Sequence, residues 1–229
     1  MKSRFGTKYS KRFYRDRLPD RGLVAFSVVF EETDLYILAE SDLGTVAEQC
    51  VRYERACLEE YLARDSGFLN DLKPRDPRPE APELVLSMCE AARLAGVGPM
   101  AAVAGAIAQS VGRKLCAQSG EVLVENGGDI FVKTVGERTI ALYAGVGSPF
   151  SMCLGLRIFP DQTPLGVCTS SGTVGHSLSF GKSDASVVVA RDAALADATA
   201  TALGNRIQSA KDIEPAFEWI QTVPGISGA

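Results

Sequence analysis

Asp197 and Thr201 stand four residues apart in a run, ADATATALG, otherwise built mostly of small residues. Residues four apart share one face of a helix, so a carboxylate and a hydroxyl are presented side by side. Threonine is up to about 0.7 kcal/mol worse than alanine in a helix, which suggests that its hydroxyl is there for use. Joined by a backbone carbonyl and water, such a pair suits magnesium shared with a phosphate better than zinc or calcium. A tightly packed structural helix fits the same two residues, and spacing alone favours that plainer reading.

Two further stretches could do chemistry. VLVENGGDIFVK joins two strand-like runs through Asn126, Gly127, Gly128 and Asp129. Asn-Gly is a strong hairpin signal because both turn residues tolerate positive φ. A glycine bend of this kind also lets backbone N–H groups approach a ligand closely. CTSSGTVGHSLSFGKSD gathers Ser170, Ser171, Thr173, Lys182 and the only histidine, His176. It reads as a polar connecting loop, or as a loop that binds phosphate and carries a proton, since histidine titrates nearest neutral pH. No G-x-S-x-G elbow accompanies it, so a Ser-His-acid triad has little support.

The elements that must hold these residues are legible. GLVAFSVVFEETDLYILAE predicts a hairpin turning near Glu31 to Asp34. A long amphipathic helix follows, capped by Ser41 or Asp42, with Val46, Cys50, Tyr53, Cys57 and Tyr61 on its core face. Four prolines, at 74, 77, 79 and 82, deny helix and central strand to the next stretch. Helices are then expected from Pro82 or Glu83 to about Leu94, and from Met100 or Ala101 to Cys116, around the turn AGVGP. Short strand-like runs come next, then a helix from Asp192 to about Ile207, and a tail cluster of Phe217, Trp219 and Ile220. This order predicts an α+β fold with an antiparallel sheet rather than regular βαβ alternation. No repeat of fixed period shows, although an internal duplication is compatible with the order of elements.

Bulk composition narrows the function. The 229 residues, 46% hydrophobic, suffice to bury roughly 70–75% of the unfolded surface without a metal or disulfide staple. A net charge of −4 argues against nucleic acid and anionic membranes as partners. Six cysteines without a CxxC pair, beside one histidine, do not make a zinc site, and most of them read as buried thiols in a reducing cytoplasm. The apolar run from Leu94 to Val111 is broken by Pro99 and Gln109, which makes a poor membrane span. At the amino terminus, residues 1–17 interleave seven Lys or Arg with Phe5, Tyr9, Phe13 and Tyr14. That arm reads either as a tail or as a cover for a phosphate-bearing ligand.

Taken in order, VLVENGGDI, CTSSG, GHSLSFGKSDASVVVA and ADATATAL resemble the ApbE superfamily of FAD:protein FMN transferases, most closely its shorter cytoplasmic branch. The resemblance runs from about Leu94 to Ile207, with a weaker match in YRDRLPDRGLVAFSVVFEETDLYI. It implies a single domain over residues 1–229 with a T-fold-like arrangement of antiparallel sheets and helices. Within it, the Pro-rich loop at 74–82 separates two intimate halves. It implies magnesium on Asp197, Thr201 and the Ala104 carbonyl. FAD, FMN or another nucleotide would lie against Asn126, Gly127, Gly128, Asp129, Ser171, Gly172 and Thr173, with His176 as the catalytic proton carrier.

Two departures stand out. The transferases have an Ile-Ala-Lys-Gly run where this chain has Val103, Ala104, Gly105 and Ala106, so their lysine is missing. Their histidine is followed by Asp-Pro-Arg-Thr-Gly, whereas His176 is followed by SLSFGKSD. Both changes remove charge expected near a pyrophosphate and argue against FMN transfer. The resemblance also associates the short branch with anaerobic sulfur assimilation and homocysteine formation. A non-enzymatic accessory role beside a sulfur-metabolism protein partner is therefore the alternative to pyrophosphate chemistry.

Overall fold

The computed structural model describes residues 22–173 and 179–229. The basic arm at 1–17 and His176 lie outside the described residues.

Strands β1 (Val24–Phe30) and β2 (Thr33–Ala39) form the expected hairpin, closed at Glu31 and Glu32, with Glu31 at φ 53°. Helix α1 (Gly44–Arg64) follows with Leu43 at its N-cap, not the expected Ser41 or Asp42, and no side chain caps it; Asp42 Oδ1 accepts the Gly44 N–H at 2.8 Å in a local turn just before the helix. Its buried line is Ala47, Val51, Leu58 and Tyr61; of the expected Val46, Cys50, Tyr53, Cys57 and Tyr61 only Tyr61 lies on it, and Tyr53 is 67% exposed. The helix packs against both β1 and α3. Wedged between two partners, it buries the small Ala47 at the contact and leaves Cys50 and Cys57 at the margin.

Residues 71–82 carry no helix or strand, as their prolines require. Pro82 precedes α2 (Glu83–Ala95), which ends at Gly96 in the left-handed conformation, φ 75°. A short 3-10 turn over Pro99–Ala102 leads into α3 (Val103–Leu115). Five strands come next: β3 (Val122–Asn126), β4 (Asp129–Lys133), β5 (Arg138–Ala141), β6 (Gly155–Ile158) and β7 (Leu165–Ser170). The chain then forms β8 (Ser186–Ala190), α4 (Ala193–Arg206), α5 (Ile213–Ile220) and β9 (Ile226–Gly228).

Seven strands make one antiparallel sheet in the order β1-β2-β3-β4-β7-β8-β9, while β5 and β6 pair with each other as a separate ribbon. Alternation along the strands gives the sheet two apolar faces. One face, with Leu35, Ile37, Val124, Phe131, Cys168 and Val188, packs against the helices in the main core. On the other, Val132, Leu165 and Val167 meet Ile140 and Ile158 of the ribbon in a second, smaller core. This is the α+β architecture that the order of elements predicts. The tail cluster divides: Ile220 is buried, Phe217 is exposed, and the Arg206 guanidinium stacks 3.5 Å from the centre of the Trp219 ring.

Candidate functional site

Helix α4 runs through the middle of the molecule, between α2, α3, β7 and β8. Ala193 to Ala200 are all buried, which accounts for the alanines: an enclosed helix can be approached closely on every side only if its side chains are small. The neighbours match it with glycines. A Cβ on Gly105 of α3 would lie 2.3 Å from the Ala193 carbonyl oxygen and 2.8 Å from Asp197 Cβ. A Cβ on Gly166 of β7 would lie 2.4 Å from Ala193 Cα.

Asp192 caps α4 in the ordinary way, its Oδ1 accepting the Leu195 N–H at 2.9 Å. Helix α3 is capped differently. Its N-cap position, Ala102, has no side chain able to accept. Instead Asp197, 92 residues further along the chain, accepts the Gly105 N–H on Oδ2 at 2.9 Å and also takes the Ala104 N–H. A carboxylate from the interior of one helix thus satisfies the free amides at the start of another. Asp197 is 8% exposed. Burial first, and the neighbouring Asp129 second, push its pKa well above the ordinary carboxylate range, with the two amides acting in the other direction.

The Ala104 carbonyl, on the same first turn, accepts the Asn126 Nδ2–H at 3.1 Å. Asn126 ends β3 and Asp129 opens β4, with Gly127 and Gly128 between them at φ 71° and 110°. The hairpin is thus present, but its two turn residues are Gly127 and Gly128 rather than the Asn126 and Gly127 of the Asn-Gly signal, and Asn126 stays in the strand, paired with Asp129. Asp129, 7% exposed, accepts the Thr169 N–H at 3.3 Å. Beneath it the fully buried Cys168 donates its thiol proton to the Ala193 carbonyl at 3.3 Å. Burial, then the charges of Asp129 and Asp197, push that thiol well above the usual range. The structure therefore brings Asn126, Asp129, Ala104 and Asp197 together at one end of the sheet. Thr201 follows Asp197 one turn on, half-buried.

Ser171, Gly172 and Thr173 follow β7, and close glycine contacts join Gly172, Gly181 and α4. A Cβ on Gly172 would lie 2.1 Å from the Gly181 carbonyl oxygen, and one on Gly181 would lie 1.9 Å from that of Gly204 in α4. Phe180 N–H donates to Asn205 Oδ1 and Lys182 N–H to the Ile207 carbonyl, both at 2.8 Å. On the other side, Ser171 Oγ accepts the Thr173 N–H at 3.1 Å, and Gly172 N–H donates to the Ser183 carbonyl at 3.0 Å.

The donors gathered around the first turn of α3 are oxygens: two carboxylates, a carbonyl and, one turn away, a hydroxyl. Among the described residues no group of three or more His, Cys, Asp or Glu forms a metal cluster. Two buried carboxylates, Asp129 close enough to raise the proton affinity of Asp197, fit a hard divalent cation, which would relieve their repulsion. Sequence reasoning missed Cys168 and Gly105 as neighbours of this group. Gly105 did leave a signal, since a glycine inside a helix costs about 1 kcal/mol against alanine and marks a close approach.

The comparisons with known proteins agree with this architecture. A UPF0280 protein of Methanocella arvoryzae is 44% identical over 199 residues, covering 86% of this chain and 80% of that one. One from Methanocaldococcus jannaschii is 41% identical over 182 residues, covering 78% and 73%. Among solved structures, the flavin transferase ApbE of Vibrio cholerae superposes with a TM-score of 0.53 at 14% identity, covering 87% of this chain and 91% of that one. The ApbE protein of Thermotoga maritima gives 0.51 at 12% identity, covering 90% and 96%. These two likenesses show a shared fold. Residues 15–218 match the family model described as AbpE bacteria, and the chain belongs to that family, in an ApbE-like branch with the archaeal UPF0280 proteins.

Proposed function

We propose that the protein holds magnesium on Asp197, Thr201 and the Ala104 carbonyl. With it would bind a flavin or other nucleotide, FAD or FMN foremost, the pyrophosphate lying across Gly127, Gly128, Ser171, Gly172 and Thr173. The observation that carries this reading is the gathering of Asp197, Asp129 and the Ala104 carbonyl at the first turn of α3. The flavin-transferase name of the Vibrio cholerae protein makes a flavin the first ligand to test. Bound there, magnesium would supply charge neutralisation to phosphate oxygens.

The chain's own residues divide the remaining work. Asp197 and Thr201 orient toward the cation from one helix face. The Gly127-Gly128 turn lets backbone approach a ligand without a side chain between. Ser171 and Thr173 bring hydroxyls. His176 would take or give a proton, from a loop whose flanking residues are pinned to α4 and to Ser183.

Gly105 stands where the transferases carry lysine, and its contact with Ala193 and Asp197 admits no side chain. Cleavage at a pyrophosphate, or ligand binding alone, therefore fits better than FMN transfer. The same observation favours the second reading, an accessory protein that carries a nucleotide for a sulfur-metabolism partner. Among the described residues no single helix is long and apolar enough to cross a membrane.

A thermal-shift titration with FAD, FMN, ADP and AMP, each with and without magnesium, tests the reading. A ligand at 100 times its dissociation constant should stabilise the fold by about 2.7 kcal/mol. The expected result is a magnesium-dependent rise with one nucleotide, lost in Asp197→Asn. No rise with any of the four would overturn the nucleotide assignment. FMN release from FAD, assayed on the same samples, separates an enzyme from a carrier.

A further inference from the structure

Asn126 points its carboxamide nitrogen at the Ala104 carbonyl, 3.1 Å away. A carbonyl oxygen only accepts, so hydrogen bonding fixes which end of the amide faces it. Yet this carbonyl is one that the proposed cation site would use. The N–H here supplies that carbonyl with the kind of positive partner that a metal ion would also supply.

We infer that Asn126 is a further ligand of the divalent cation, its carboxamide turning over on binding so that Oδ1 replaces Nδ2. The inference rests on the cation site proposed above. Magnesium holds oxygens at 2.0–2.1 Å in a near-octahedral shell, in which adjacent oxygens are about 2.9–3.0 Å apart. The terminal atom of Asn126 and the Ala104 oxygen already have nearly that spacing. A half-turn about the last side-chain torsion exchanges nitrogen for oxygen without moving the backbone, and that torsion is broad for asparagine. The backbone itself is held: Asn126 pairs with Leu35 on one side and Asp129 on the other. Asp129, across the turn, is positioned to share the same charge. With Nδ2 toward Ala104 the N–H satisfies the carbonyl, and with Oδ1 turned in its place both oxygens would face the ion.

The chain contains three asparagines, Asn70, Asn126 and Asn205, so selective 15N-asparagine labelling of the full chain gives three side-chain amide pairs. Titration with magnesium chloride, followed by NMR, should move the Asn126 pair and speed its exchange with water as the bond to Ala104 is lost, leaving the Asn70 pair in place. Calorimetry of magnesium binding should show at least 10-fold weaker affinity in Asn126→Ala and no such loss in Asn126→Asp, which keeps an oxygen. Magnesium heat with an unmoved Asn126 amide would overturn the inference and leave the cation site standing, with Asn126 a permanent donor. Equal or tighter binding in Asn126→Ala would likewise overturn it, showing that the amide competes with the ion for the carbonyl. No heat with either magnesium or manganese would overturn the cation site and this inference together.

Discussion

Asp197 takes the free amides at the start of α3 and sits beside Asp129, and it is also the residue on which the cation is proposed. The first of these roles complicates the usual alanine test, because Asp197→Ala removes a helix cap as well as a charge. Loss of such a cap costs about 1–2 kcal/mol. Asp197→Asn keeps an oxygen to accept the Gly105 N–H and removes the repulsion from Asp129. We expect urea denaturation without metal to show Asp197→Ala destabilised by that amount and Asp197→Asn within about 0.5 kcal/mol of the parent, while both lose the magnesium-dependent shift. Equal stability of parent and Asp197→Ala would refute the capping role. The sequence reveals part of this: helical spacing puts Asp197 and Thr201 on one face, and threonine's poor propensity hints at use. It cannot reveal a bond to an amide 92 positions away, because the donor is a backbone N–H, which every residue but proline carries.

At the scale of elements, what the sequence reveals depends on how local the cause is. The β1–β2 and β3–β4 hairpins are readable because β-rich runs and turn residues are adjacent. Strand β9 is not, since three residues after a glycine become a strand only where β8 leaves an edge free to pair. The β5–β6 ribbon is readable as two runs, but its place on the far face of the sheet depends on distant residues. Glu121 fastens that ribbon to the sheet. Its carboxylate accepts the Thr134 hydroxyl at 2.8 Å and the Val135 and Gly136 amides at 2.9 and 3.0 Å, and pairs with Arg138 at the start of β5. Burial alone would raise its pKa, yet Arg138, the Val135 amide and the Thr134 hydroxyl together hold it below the usual 4.5. A carboxylate with a lowered folded-state pKa contributes stability above its unfolded value, and that contribution is lost as pH falls below about 4.5 through the folded value. Glu121→Ala leaves Arg138 half of a broken buried pair and should cost about 3 kcal/mol at pH 7. The difference from the parent should shrink on acidification, as followed by urea midpoints between pH 7 and pH 3. A constant difference across that range would show that the charge does not matter there.

For the whole molecule, the candidate site and the core are built at the same contact, because α3, α4 and β7 approach one another through glycines where Asp197, Ala104 and Cys168 meet. The class of the fold follows from the order of helices and strands, but this convergence does not, since it depends on which glycines face which helix. Two glycines of α3 separate packing from site formation. A Cβ on Gly105 would press on Ala193 and Asp197, while one on Gly112 would lie 2.1 Å from the Phe131 ring, on the sheet side of the same helix. Overpacking at either position should cost roughly 1–3 kcal/mol, and each kcal/mol lowers Tm by about 2–4 °C in a chain of this length. If the first turn of α3 is the site, Gly105→Ala should abolish the magnesium-dependent stabilisation, whereas Gly112→Ala, comparably destabilised, should keep it. Loss of the magnesium response in both variants would tie it to the overall integrity of α3 rather than to its first turn. Its survival in both would place the cation elsewhere in the molecule.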